Sequence, residues 1–197
     1  DLKLKAFAEL AVSGAQVVVA GVDLTIGQWL GARLLAELAP HTDVMRFGAS
    51  DTYAHVVNAA VERVVGEKVL VVDPRVSLTA DEARRCIAQV QRGAAVAPLA
   101  VQADGTVDAI GALLRGTAEP YRILHDHPLE DALKTKLTEF RAPAIAGRTF
   151  AVMADAFRAV GGLDERLVDD LDLESLSVRL RQFDDGFEFC VLMSVLA

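Results

Sequence analysis

Cysteine is scarce in this chain of 197 residues: Cys86 and Cys190 are the whole complement, far apart and each inside an apolar segment. That excludes a disulfide-stapled scaffold and leaves no Cys/His spacing of a zinc site, so a reducing compartment is the simpler expectation. Positive charge is also in short supply. Against 28 acidic residues stand 20 basic ones, a formal charge of -8, and no basic cluster could follow a phosphate backbone. Nucleic acid is therefore not an expected partner. No apolar run nears the roughly 20 residues of a membrane-spanning helix, and no signal-peptide pattern opens the chain. The expected setting is cytoplasmic, without a span, at most at the cytoplasmic face of a membrane. Repeats and low-complexity segments are absent too. So is the glycine-rich phosphate turn of a dinucleotide binder, because Gly21 and Gly27 of GVDLTIG stand too far apart.

What is present is apolar and strongly patterned. At 52% hydrophobic, the chain can bury a sizeable core, and its length fits one domain over residues 1–197. The spacing of Leu2, Ala6, Phe7 and Leu10 predicts a short opening helix that stops at Gly14. Gln16 to Asp23 reads as a buried strand, and Thr25 with Gln28 as the capping box of a helix carrying Trp29, Leu30, Leu34 and Leu38. Asp43 to Phe47 is the next strand. Thr52 to Val65 is a helix with Val56, Val57, Ala60, Val61 and Val64 on its buried side, closed by Gly66. The run VLVVDPRV, Val69 to Val76, reads as a buried parallel strand that delivers Asp73 to its C-terminal mouth. In open α/β sheets that mouth is where ligands bind.

The second half begins with a capping box, Thr79 and Glu82, and a stripe of Ala83, Cys86, Ile87 and Val90 that ends at Gly93. AAVAPLAV is a strand and Ala103-Asp104-Gly105 a turn. Leu114 to Pro143 reads as a loop-rich excursion with one helical piece, Leu129 to Phe140. Ala144 to Met153 is a strand, Asp155 to Val160 a short helix, Leu171 to Gln182 a longer one, and FEFCVLMSV the last strand. Alternating strands and helices predict a three-layer α/β/α domain with a mostly parallel sheet.

Three places could carry chemistry. Asp73 at a strand end can hold a divalent cation, and a second acid two residues on would share it; that position is Arg75. A solvated aspartate in a turn before proline is the plainer alternative, and it stays open. The acidic stretch Asp169, Asp170 and Asp172 either caps the helix that follows or crowds one carboxylate into a general base. Asp172 and Arg179, seven apart, share a helix face. The third place is His125-Asp126-His127. Adjacent residues ligate a metal poorly from regular structure, so a mobile polar loop is expected there.

The order of these signals resembles the family 2 glycosyltransferases of the GT-A fold. The most specific stretch is Ala146 to Arg181, where the family has Gly-Gly-Phe-Asp-Glu and then Glu-Asp-x-Asp-Leu and Arg; His55 to Val76 matches by the spacing of Asn58, Gly66 and Asp73. The resemblance implies a nucleotide-diphosphate sugar donor lying over the strand ends, a glycan or lipid-linked acceptor, and transfer to a hydroxyl with inversion. By position it implies Asp170 as the base, with Asp169 and Asp172 beside it. Donor contacts would come from Asp23, Thr25, Asn58, Asp73 and Arg75, and a Mn or Mg ion would sit on Asp73.

Departures gather on the donor side. Gly21-Val22-Asp23-Leu24-Thr25 stands where the family has Asp-Asp-Gly-Ser-Thr, Arg75 replaces the second metal-binding aspartate, and Arg179 lies further along its helix than the pattern places it. The chain starts at Asp1, and the family's first strand is expected to lie before it. Two accounts of Arg75 follow. Either its guanidinium pairs with the diphosphate in place of the metal, or the domain is a degenerate module with a binding or regulatory role.

Overall fold

The computed structural model describes residues 15–19, 42–44, 52–73, 80–101, 104–114, 119–167 and 171–193. The first half supplies β1 (Ala15–Val19), β2 (Thr42–Val44), α1 (Tyr53–Val61), β3 (Lys68–Val72), α2 (Ala80–Gln89) and β4 (Ala94–Pro98). The excursion contributes β5 (Ala100–Val101), β6 (Val107–Ala109), β7 (Ala112–Leu113), β8 (Tyr121–Arg122) and α3 (Leu129–Lys134). The chain then forms β9 (Glu139–Ala142), β10 (Phe150–Met153), α4 (Ala154–Ala159), α5 (Asp172–Phe183) and β11 (Glu188–Leu192).

Among the described residues, seven strands form one sheet in the order β2-β1-β3-β10-β4-β11-β9. β1, β2 and β3 run parallel, as do β4 and β11; β10 lies antiparallel to both β3 and β4, and β9 antiparallel to β11. The sheet is thus mostly parallel, as its alternating pattern predicts, with two reversed strands that the pattern does not distinguish. Side chains alternate along β3. Val69 and Val71 pack with α1 and α5 residues, whereas Leu70 and Val72 pack with Ala83, Cys86, Ile87 and Val90 around α2. Helices therefore cover both faces, and the three layers follow from period-2 alternation meeting two amphipathic stripes. Cys86 is buried, and burial pushes its thiol up to about 12, so it is a packing group at neutral pH.

Several boundaries differ from the sequence reading: the helix expected over Thr52 to Val65 ends at Val61, and AAVAPLAV divides at Leu99 into β4 and β5, which belong to separate sheets. The helix expected over Leu129 to Phe140 ends at Lys134, because Lys136 takes a left-handed backbone at φ 55° and the chain re-enters the sheet as β9. Residues 144–149 are not strand: Ile145 N–H donates to Ser177 Oγ at 3.1 Å and Gly147 sits at φ 89°, so the ladder begins only at Phe150. No described helix is long and apolar enough to cross a membrane.

Phe150 is fully buried, with its ring stacked 6.2 Å from that of Phe157. Phe150→Ala is expected to cost about 3–5 kcal/mol. Arg141→Ala removes only an exposed pair with Glu188 and should cost under about 1 kcal/mol. Urea midpoints of the two variants measure the contrast.

Candidate functional site

The C-terminal ends of β1, β2 and β3 and the beginning of β10 meet at one edge of the sheet, because β10 runs the other way. Asp73 is the first residue past β3 and is 1% exposed. Its backbone N–H donates to Thr149 Oγ1 at 3.1 Å, across the start of β10. A carboxylate so buried is retained only where it is partnered. Next to it, the Tyr53 hydroxyl at the start of α1 donates to the Arg148 carbonyl, and the Arg148 guanidinium lies 5.2 Å from the Tyr53 ring centre. The edge therefore carries a buried acid, a hydroxyl and an arginine supported by an aromatic ring.

Asp172 opens α5 and is 8% exposed. An acid there is favoured by the helix dipole, so capping and chemistry are compatible at this position. Two turns on, Arg179 donates from Nη1 to the Val160 carbonyl at 2.8 Å. Burial lowers the Arg179 guanidinium from its ordinary value, opposed by the carboxylates of Asp164 and then Asp172. Asp172 and Arg179 are thus electrostatic neighbours, as their helical spacing predicts. Glu174, in the first turn of α5, is 2% exposed and accepts from Arg122 Nε at 3.0 Å. That pair bolts the excursion to α5. Sequence reasoning did not find it, and no local signal could, since the partners are 52 residues apart.

Asn58 engages the Gly161–Glu165 loop. Its Nδ2 donates to the Leu163 carbonyl and to Glu165 Oε1, both at 2.9 Å, and its Oδ1 accepts from Leu163 N–H at 2.7 Å. Glu165 Oε2 also meets His55 Nδ1 at 3.1 Å. Between α1 and this loop runs an open groove of about 360 Å³, with Ala59 and Phe157 among its lining residues and Glu62 and Arg158 also on its walls. Arg158 is committed elsewhere. Its Nη2 donates to the Val61 and Val64 carbonyls, placing a cation at the C-terminal end of α1.

Asp23, Thr25 and Arg75 of the donor set, and Asp169 and Asp170 of the acidic stretch, lie outside the described residues. Asn58, Asp73 and Asp172 are described, and the structure joins Asp73 to Thr149 and Asn58 to the loop that leads towards the acidic stretch. His125 to His127 is an exposed turn, in which Leu124 and Asp126 take positive φ and His125 Nδ1 lies 2.5 Å from the Asp108 carbonyl. Among the described residues no three His, Cys, Asp or Glu side chains gather as a metal ion would require.

A similar fold occurs in a known protein. A structure of GalNAc-T7 with UDP, GalNAc and Mn2+ overlays with a TM-score of 0.65 across 91% of this chain, at 12% identity. This chain has a nucleotide-diphospho-sugar transferase fold. It spans 42% of the GalNAc-T7 chain, less than half its length. A nucleotidyl transferase from Methanothermobacter and the bifunctional IspDF from Campylobacter jejuni overlay with TM-scores of 0.47 each. Their identities are 14% and 12%, over 96% and 92% of this chain and 68% and 50% of theirs. No family model matches the chain, and no curated protein is similar to it in sequence.

The clasp on Glu165 has a pH signature. Hydrogen bonds from Asn58 first and His55 second hold the Glu165 carboxyl below its ordinary value of 4.5. A depressed carboxylate stabilises the fold above that ordinary value, and the contribution is lost as pH falls through the lowered one. The stability advantage of the parent over Glu165→Gln should therefore be present near neutral pH and shrink as pH falls below 4.5. Urea midpoints across that range check the sign.

Proposed function

We propose that the chain is a family 2-type glycosyltransferase domain that moves a sugar from a nucleotide-diphosphate donor to a hydroxyl of a glycan or lipid-linked acceptor, with inversion. The observation that carries the reading is the buried Asp73 at the mouth of β3, tied to Thr149 of the reversed β10 segment, within a nucleotide-diphospho-sugar transferase fold. Inverting displacement at an anomeric carbon needs a base on the acceptor hydroxyl and charge stabilisation on the departing diphosphate. Asp170 takes the first role. Asp169 and Asp172 crowd it, which raises its affinity for the proton it must accept. On the donor side, Asp23 and Thr25 meet the nucleoside end and Asp73 with Arg75 the diphosphate. The Arg75 guanidinium offers two parallel N–H donors to phosphate oxygens.

A divalent ion such as Mn or Mg, when bound, would add Lewis-acid charge to the diphosphate, and Asp73 is the residue of this chain that would hold it. Asp73 is one carboxylate, followed two residues later by an arginine, so the Asp-x-Arg segment offers such an ion a single acidic ligand. The same arginine favours a second reading, a degenerate transferase module that binds without turning over. Cytoplasmic location, at most at the inner membrane face, belongs to the first reading.

Calorimetry with uridine or guanosine diphosphate, with and without manganese, separates the two accounts of Arg75. Metal-independent binding weakened about tenfold or more in Arg75→Ala is expected. No binding of either nucleotide removes the transferase reading. Asp170→Asn should lower sugar transfer or nucleotide-sugar hydrolysis by about 10²–10⁴-fold, and unchanged turnover rejects that base.

A further inference from the structure

Asn58 spends its whole amide on the backbone and side chain of one loop. It accepts from Leu163 N–H and donates to the same residue's carbonyl, as a neighbouring strand would, and it also donates to Glu165. His55, one turn earlier on α1, meets the other oxygen of that carboxylate. Two residues of one helix face thus grip the loop at Leu163 and Glu165. The loop is shaped for this grip. Gly162 sits at φ 69°, and a Cβ there would lie 2.3 Å from Asn58 Oδ1. Leu163 is buried against the core, and Leu167 N–H closes a turn onto the Asp164 carbonyl. Three residues beyond Leu167 comes Asp170, and two beyond that Asp172 opens α5. From the other side, Arg179 of α5 reaches back to Val160, just before the two glycines.

We infer that Asn58, with Gly162 as its steric counterpart, is a positioning residue for the 161–167 segment and, through it, for Asp172 at the start of α5, rather than a donor contact. α1 begins at the sheet edge where Asp73 lies, with Tyr53 on the Arg148 carbonyl. The clasp therefore ties the Leu163–Glu165 segment to the same helix whose first residue lies beside Asp73's edge. A base displaced by about 1 Å loses much of its rate, so a hydrogen-bonded clasp on the segment ahead of α5 bears on turnover.

The kinetic arm of the test rests on the transferase reading; the exchange arm does not. In Asn58→Ala and in Gly162→Ala, backbone amides of residues 163–171 should exchange with solvent roughly tenfold faster or more, while those of β3 and β10 keep their protection. Both variants should lower turnover of a nucleotide sugar and leave calorimetric affinity for uridine diphosphate within about twofold, and the double variant should add little to either single one. Unchanged exchange over 163–171 overturns the clasp whether or not the protein is a transferase. Weakened nucleotide affinity in Asn58→Ala but not in Gly162→Ala overturns it in favour of a donor contact. Accelerated exchange in a chain that binds no nucleotide leaves the clasp standing and removes the transferase reading.

Discussion

Four register pairs between β3 and β10, from Phe150↔Val71 to Met153↔Lys68, turn the chain round in the middle of a mostly parallel sheet. A reversed strand begins where its neighbours end. That places Thr149 against Asp73 and Arg148 against Tyr53 at one edge, and it delivers Met153 to the other edge, where Ala154 N–H reaches the Glu67 carbonyl. From that lower edge α4 sends Arg158 to the Val61 and Val64 carbonyls at the C-terminal end of α1. The chain then follows α1 through the Asn58 clasp towards the acidic stretch. The edge at Asp73, the Asn58 clasp and the path towards α5 all follow from one strand running the other way.

The energetics separate what holds the fold from what shapes the site. The two faces of the sheet bury continuous apolar clusters, the larger around α1 and α5 and the smaller around α2. Burial of that kind dominates stability. Exposed pairs such as Lys134–Asp131 add little. The buried polar groups are different, because each must be satisfied or it destabilises. Arg122–Glu174, Thr149 on Asp73, Ser177 on Ile145 and Asn58 on Leu163 join segments far apart in sequence. They contribute position rather than mass to the structure.

Much of the fold was legible. The stripes of α1 and α2 are buried as their periodicity predicts, and the β-branched run before Asp73 is the buried β3. Strand direction was not legible, since alternation along Phe150–Met153 is the same whichever way the strand runs. β9 was missed although Glu139-Phe140-Arg141-Ala142 alternates polar and apolar, because four residues are too few to outweigh the helical piece ahead of them. In the site, Asp73 and the Asp172–Arg179 face could be read from a strand end and a seven-residue spacing. The partner of Asn58 could not be read that way: its hydrogen bonds span 105 and 107 residues. Local pattern carries helix faces and strand ends; long-range pairing between loops leaves no periodic trace.

The most direct measurement is an amide NMR titration of the protein with uridine diphosphate. The account predicts saturable shifts at Val72, Asp73 and Arg148 to Phe150, where the reversed strand meets the mouth of β3. Shifts confined to the groove between α1 and the Gly161–Glu165 loop, or no saturable shifts at all, would contradict it.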